Sequence, residues 1–169
     1  MTITMDHVFI LVEPEAKVGD RLLEHGFREG PSNTHPGQGT AIIFVPNHLL
    51  VEKEMPFPGW HYQPDYFPAP KGFQVGANSK NLQEPLCFYF PFHNPGVPRP
   101  QPQRNSQRIT EVVISTPSTD THGVLALASK CDCLSIQSGT GHLMEITLDH
   151  HASGHTADFR PALPLILRW

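Results

Sequence analysis

Gly141-His142-Leu143-Met144-Glu145-Ile146-Thr147-Leu148-Asp149, near the end of the chain, governs how the rest is read. Met144, Ile146 and Leu148 alternate with Leu143, Glu145, Thr147 and Asp149. A period of two marks a strand with one apolar face and one mostly polar face. Glu145 is therefore expected on the side away from the main packing surface. An earlier stretch, Asn47-His48-Leu49-Leu50-Val51-Glu52-Lys53-Glu54-Met55, also has His-Leu followed by an apolar residue and a carboxylate. The shared pattern predicts an internal duplication.

Composition sets the limits. A chain of 169 residues fits one domain, or two half-domains sharing a core. Hydrophobic and charged contents of 38% and 17% are low for a globular protein, and 18 prolines account for much of the shortfall. A net charge of −4 gives no reason to expect nucleic acid or an anionic membrane as partner. No run approaches the roughly 18 apolar residues of a membrane span. Met1-Thr2-Ile3-Thr4-Met5-Asp6-His7 lacks the basic region and apolar core of a signal peptide, so a cytoplasmic protein is expected. Cys87, Cys131 and Cys133 make an odd count with no disulfide framework. Cys131-Asp132-Cys133 has one intervening residue, which predicts a pair of reduced thiols at a helix end.

Taken in order, Asp6 to Val12 is β-branched and aromatic and predicts a buried strand. Val18, Leu22 and Leu23 then recur at helical spacing between Glu15 and His25, and Gly26 is placed to end that helix. Gly30 to Gly39 is almost all turn formers and predicts a polar loop, with Asn33–Thr40 bordering a binding site. Strands are expected over Thr40–Val45 and His48–Met55. The order repeats later. Arg108–Ser115 reads as a strand stopped by Pro117, with Ser118 and Thr119 as candidate helix caps. Val124, Leu125, Leu127 and Ala128 form an apolar helical stripe, and Leu134–Ile136 and His142–Leu148 read as strands. Between the two units, residues 56 to 104 hold eleven of the 18 prolines. That segment carries Trp60, Tyr62, Tyr66 and Phe67, too aromatic for a disordered linker, and predicts further strands at Phe73–Val75 and Leu86–Phe90. The apolar tail, Ala162 to Trp169, is expected to pack down as a cover.

Two strand–helix–strand–strand units resemble the vicinal-oxygen-chelate superfamily, which includes glyoxalase I, extradiol dioxygenases and bleomycin-resistance proteins. More narrowly, Asp6-His7-Val8-Phe9, Asn33 to Thr40, Trp60 to Pro68, Glu84-Pro85 and Asp158 to Leu165 are similar to bacterial glyoxalase-like domain proteins. The resemblance implies an α+β fold of paired βαβββ modules whose curved mixed sheets form a cup. It makes residues 1–169 a single domain, with a first module over 1–55, the Pro-rich segment over 56–104 and a second module over 105–169. In metal-dependent members the cup holds a divalent ion bound by the first and last strand of each module. Carried over, the ligands are His7, Glu52, Glu111 and Glu145, with Glu145 also the catalytic carboxylate.

The second ligand has an alternative. A gap-free match of His48-Leu49-Leu50-Val51 to His142-Leu143-Met144-Glu145 places Val51 opposite Glu145, whereas face patterning turns Glu52 to the cup. A one-residue slip exchanges the faces, so only one arrangement holds; burial of Leu49, Val51 and Met55 favours Glu52. One histidine with three carboxylates suits Mn²⁺, Mg²⁺, Fe²⁺ or Zn²⁺, with Ni²⁺ a further candidate. Three carboxylates that converge need a metal or an arginine to satisfy them. His35, Trp60, Tyr62 and Phe9 are the expected substrate-binding residues, and Trp60, Tyr62, Tyr66 and Phe67 suit an apolar ligand wall.

Each residue also has a plainer reading: His7 as a core histidine, Glu111 paired with an arginine, the four aromatics as packing. His48 and His142 read as surface residues at strand starts, and His150, His151 and His155 as a solvated turn. Two functions follow. One is a metal-dependent enzyme for isomerisation, lyase chemistry or ring-opening oxygenation of a small oxygen-bearing substrate. The other is a metal-free protein that sequesters a hydrophobic or aromatic compound. Both take a small molecule as partner, and a homodimer is compatible with either.

Overall fold

The structure is a computed structural model and describes residues 5, 8–10, 18–28, 33–35, 40–42, 58–63, 73–81, 83–89, 107–118 and 123–169. Its elements, in order, are α1 Val18–Glu24, β1 Asn33–His35, β2 Thr40–Ile42, β3 Gly59–Tyr62, β4 Phe73–Gly76 and β5 Phe88–Tyr89. They continue with β6 Ile109–Thr116, α2 Val124–Ala128, β7 Leu134–Ser138, β8 Leu143–Leu148, β9 Thr156–Asp158 and β10 Leu165–Arg168. The described residues form an α+β structure, mostly strand, in three sheets. The duplication of Asp6–Met55 onto Arg108–Asp149 turns largely on residues outside the described ones.

The largest sheet has the order β7-β6-β8-β10-β9. β6 runs parallel to β7, with α2 between them in sequence, and antiparallel to β8. The alternation read from Met144, Ile146 and Leu148 holds: Ile146 and Leu148 are buried with Val112 on β6 and Leu165 and Leu167 on β10. Ile109, Ala157, Phe159 and Leu163 complete the cluster, and Met5, Val8, Ile10, Leu22 and Phe27 pack over it. Burying each such side chain contributes on the order of 2 kcal/mol, which is why one face of the sheet closes.

The tail departs from expectation. Leu165–Arg168 is an interior strand, parallel to β8 and antiparallel to β9, not a cover. Leu165 and Leu167 alternate with Ile166 and Arg168, and that period of two lets them join the core as β10. The polar loop also differs: Asn33–His35 pairs with Thr40–Ile42, with His35 opposite Thr40. Backbone ladder bonds make this strand without help from apolar patterning. Leu23, expected on the buried stripe of α1, is exposed.

The helix α2 starts without Ser118. Gly123 is its N-cap at φ 73°, a left-handed conformation that favours glycine. Ser118 instead donates to Glu84 Oε1 at 3.3 Å, and Thr116 donates to the Gln83 carbonyl at 2.9 Å. These bonds tie the segment that carries β3, β4 and β5 to the end of β6. In that segment β3, β4 and β5 form an antiparallel sheet in that order. A side chain at Gly76 would meet Asn78 Oδ1 at 2.6 Å and Val124 Cγ1 at 3.0 Å, so the bare backbone lets α2 approach this sheet.

Candidate functional site

Two sheet faces carry the residues singled out from the sequence. On the large sheet, Glu111 lies opposite Thr147, and Glu145 lies opposite Val113 and Ile166. Alternation along each strand puts Glu111, Val113, Glu145, Thr147, Ile166 and Arg168 on the face opposite the core. Glu111 and Glu145 are thus diagonal neighbours, about 7–8 Å apart at Cα by sheet geometry. His7, Val51 and Glu52 lie outside the described residues, so whether the four ligands converge, and which of Val51 and Glu52 faces the cup, falls there too.

Glu145 has a partner the sequence reading did not name. Arg168 Nη2 donates to Glu145 Oε2 at 2.5 Å, and both side chains are part-buried. Arg168 stands opposite Thr147 and reaches diagonally to Glu145 across the parallel β8–β10 pair. The signal for it was the period of two in Leu165-Ile166-Leu167-Arg168. Glu111 is exposed, and its Oε2 accepts from the Thr147 hydroxyl at 3.4 Å. Beyond the edge, Arg160 grips Asp158 through Nε at 2.9 Å and 3.1 Å and Nη2 at 2.6 Å. These bonds hold the Asp158 carboxyl down at about 2. Asp158 likewise keeps Arg160 charged, with Glu145 adding to the effect.

The described half of the implied metal set does not fit a divalent cation as it stands. Glu145 already shares its charge with a guanidinium, and a fixed positive group at that distance opposes a second cation. Among the described residues no three His, Cys, Asp or Glu side chains stand together as metal ligands. His150 and His151 sit on a tight corner at positive φ, and His151 Nε2 is 3.4 Å from the Thr156 hydroxyl, in keeping with a turn. His142 is exposed at the start of β8.

The second face belongs to the three-stranded sheet. Trp60 is opposite Val75, Tyr62 opposite Phe73, and Val75 opposite Phe88, so all five share one face. Their rings touch in sequence: Trp60 to Tyr62 at 5.7 Å, Tyr62 to Phe73 at 5.2 Å and Phe73 to Phe88 at 5.4 Å, each near edge-to-face. Phe9 extends the row, 5.5 Å from Phe88. Its neighbours Val8 and Ile10 pack on the core cluster. Three of the expected substrate-binding residues, Phe9, Trp60 and Tyr62, therefore stand in one row; Tyr66 and Phe67 of the expected ligand wall lie outside the described residues. Phe73 and Phe88, which link them, were missed as site residues although they had been read as strand. His35 lies on β1, away from this row in sequence and topology.

Two rings of the row are open to solvent. Val75 is only 6% exposed, but Trp60 is 50% and Phe88 37% exposed. The Trp60 indole N–H reaches Ser79 Oγ at 3.4 Å, which fixes the ring's edge and leaves a face for stacking. On the opposite face, Gln74 Nε2 and His61 Nδ1 are hydrogen-bonded at 3.4 Å. Comparison of the chain with protein-family models, curated proteins and solved structures found no match.

Proposed function

We propose that this chain is a glyoxalase-like domain of the vicinal-oxygen-chelate type that binds a small aromatic or hydrophobic compound without a metal. The observation that carries the reading is the row Phe9, Phe88, Phe73, Tyr62 and Trp60, with rings in contact and with Trp60 and Phe88 exposed. Such a row offers flat apolar surface and ring edges to a planar guest. The α+β make-up, with β6, α2, β7 and β8 in strand–helix–strand–strand order, supports the cup-forming module. The Arg168–Glu145 pair favours binding over metal-dependent catalysis, because it supplies by arginine the charge balance that a cation would otherwise supply. A reducing cytosol suits cysteines held as thiols, as Cys131 and Cys133 are.

Trp60 and Trp169 are the only tryptophans, so Trp169→Phe leaves Trp60 as the reporter. Anilinonaphthalene sulfonate, followed by a panel of small aromatic compounds, should quench Trp60 saturably and raise Tm by mass action. Trp60→Ala and Phe88→Ala should each weaken binding at least about tenfold, the scale of one lost ring contact. Saturable binding that survives both substitutions would sink the aromatic wall. A rise in Tm with Mn²⁺, Ni²⁺ or Zn²⁺ that Glu145→Gln removes would return the protein to the metal-dependent enzyme.

A further inference from the structure

Cys131 and Cys133 take no part in the aromatic row. Cys131 ends the turn after α2, its amide bonded to the Ala128 carbonyl at 3.0 Å. Its own carbonyl accepts from the Leu134 amide at 3.1 Å, and the Cys133 carbonyl accepts from the Val112 amide at 2.7 Å. Helix end and sheet thus fix both ends of a three-residue turn. Within it the two Sγ atoms stand 3.6 Å apart. Cys131 is buried at 5% exposure and Cys133 half-buried, so the pair has one side toward the protein and one within reach of solvent.

We propose that Cys131 and Cys133 form a two-thiolate chelate for a soft, closed-shell divalent cation of the Zn²⁺ and Cd²⁺ class, a site separate from the aromatic row. The separation carries the choice of ion. Two sulfurs 3.6 Å apart, each about 2.3 Å from one ion, subtend about 100° there, near the tetrahedral angle. A linear sulfur–metal–sulfur unit with that bond length would need about 4.6 Å, which the fixed turn does not offer. Thiolates rank first among protein ligands for soft ions, and the half-burial of the pair strengthens the charge interaction. The balance is simple. The cation forms two metal–sulfur bonds, both thiol protons leave to solvent, no electron moves, and water fills the remaining positions. Burial, and then the hydrogen bond to Cys131, push the Cys133 thiol up to about 11. It therefore stays protonated and unreactive until a cation displaces the proton.

The full chain, reduced and kept anaerobic, is titrated with CdCl₂. A thiolate-to-cadmium ultraviolet band should saturate at one equivalent, with two protons released per ion, and Zn²⁺ bound beforehand should be displaced by Cd²⁺. C131S and C133S should each lose the band, while C87S and Glu145→Gln keep it. C133S, at the half-buried position, guards against a folding defect at the buried one, with circular dichroism as the check. A band that never saturates, that survives C131S or C133S, or that needs Cys87 or His151 overturns the site. Retention in Glu145→Gln separates this result from any failure of the ligand-wall reading.

Discussion

The five-stranded and three-stranded sheets handle the same physical problem in opposite ways. Both alternate, and both gather their apolar side chains on one face. In the large sheet that face is shut: Val112 and Phe159 have no exposure, and the segment carrying Val8 and Ile10, with Leu22 of α1, lies over it. In the small sheet only the middle of the face is shut, at Val75, while Trp60 and Phe88 remain open. The polar faces differ as well. The large sheet balances carboxylates against Arg168 and Arg160, and the small sheet pairs His61 with Gln74. A closed apolar face yields stability; an open one is available to a guest.

The comparison is broken most directly at Phe159 and Trp60. Phe159→Ala removes a ring that touches His25 at 5.5 Å and lies under the Arg21 guanidinium at 5.5 Å. It should cost about 3–5 kcal/mol in urea unfolding, as for other buried aromatics. Trp60→Ala should cost under about 1 kcal/mol, as a half-exposed site, while removing ligand quenching. Equal losses at the two positions would mean that the small sheet's face is core after all.

Next in size is the Glu145–Arg168 pair. A double-mutant cycle with Glu145→Gln and Arg168→Met should give a coupling of about 1 kcal/mol, shrinking as salt is raised. A coupling near zero would leave Glu145 free for the metal role and weaken the binding reading. Unfolding of the four proteins at two ionic strengths decides it.

What the sequence made legible follows from range. Alternation within β6 and β8, the stop at Pro117 and the aromatic strands β4 and β5 are local patterns, and each stands where local chemistry put it, whereas β3 had not been read as a strand. The Arg168–Glu145 bond spans 23 positions and depends on β10 lying parallel beside β8. Nothing in Leu165 to Arg168 alone says which strand it will join, so the tail read as a cover. Ser118 looked like a helix cap by residue type, but its hydroxyl is taken by Glu84, 34 positions away. Leu23 continued a helical stripe, yet the sheet beneath α1 covers Leu22 and leaves Leu23 outside. Of the aromatic row the sequence reading named Phe9, Trp60 and Tyr62 and passed over Phe73 and Phe88, whose place depends on the register of β3, β4 and β5.

A smaller effect sharpens the picture of the closed sheet. Asp149, His150 and His151 lie at φ 46°, 55° and 58° on the corner that leaves β8. The corner is held by Asp149 Oδ1 accepting from the Arg108 amide at 3.0 Å and by the His150 amide donating to Thr110 Oγ1 at 2.9 Å. Side chains other than glycine lose about 1–2 kcal/mol in this conformation. Glycine loses about 0.5–1 kcal/mol more backbone entropy on folding, so His150→Gly should stabilise by a net of about 0.5–1 kcal/mol. A lower urea midpoint for His150→Gly would show that the imidazole itself holds the corner.

The least effect is expected at the sheet's edge, where Asp158 is exposed and paired with Arg160. Its carboxyl ionises at an ordinary 3.8 when the chain is unfolded and at about 2 in the fold, first through the Arg160 side-chain bond and then the Arg160 amide. A folded value below the unfolded one means stability that is complete above pH 4 and is lost as pH falls through about 2. Carboxyl NMR should place the Asp158 midpoint near 2, and Arg160→Ala should move it back toward 3.8. The loss should be local. As pH falls, amide protection on β9 should weaken before protection on β4, because β9 is the edge strand next to β10 and carries the titrating group. If β4 loosens first in the wild type, the carboxylate lock at Asp158 is not what steadies this edge, and the open sheet is the weaker of the two against acid.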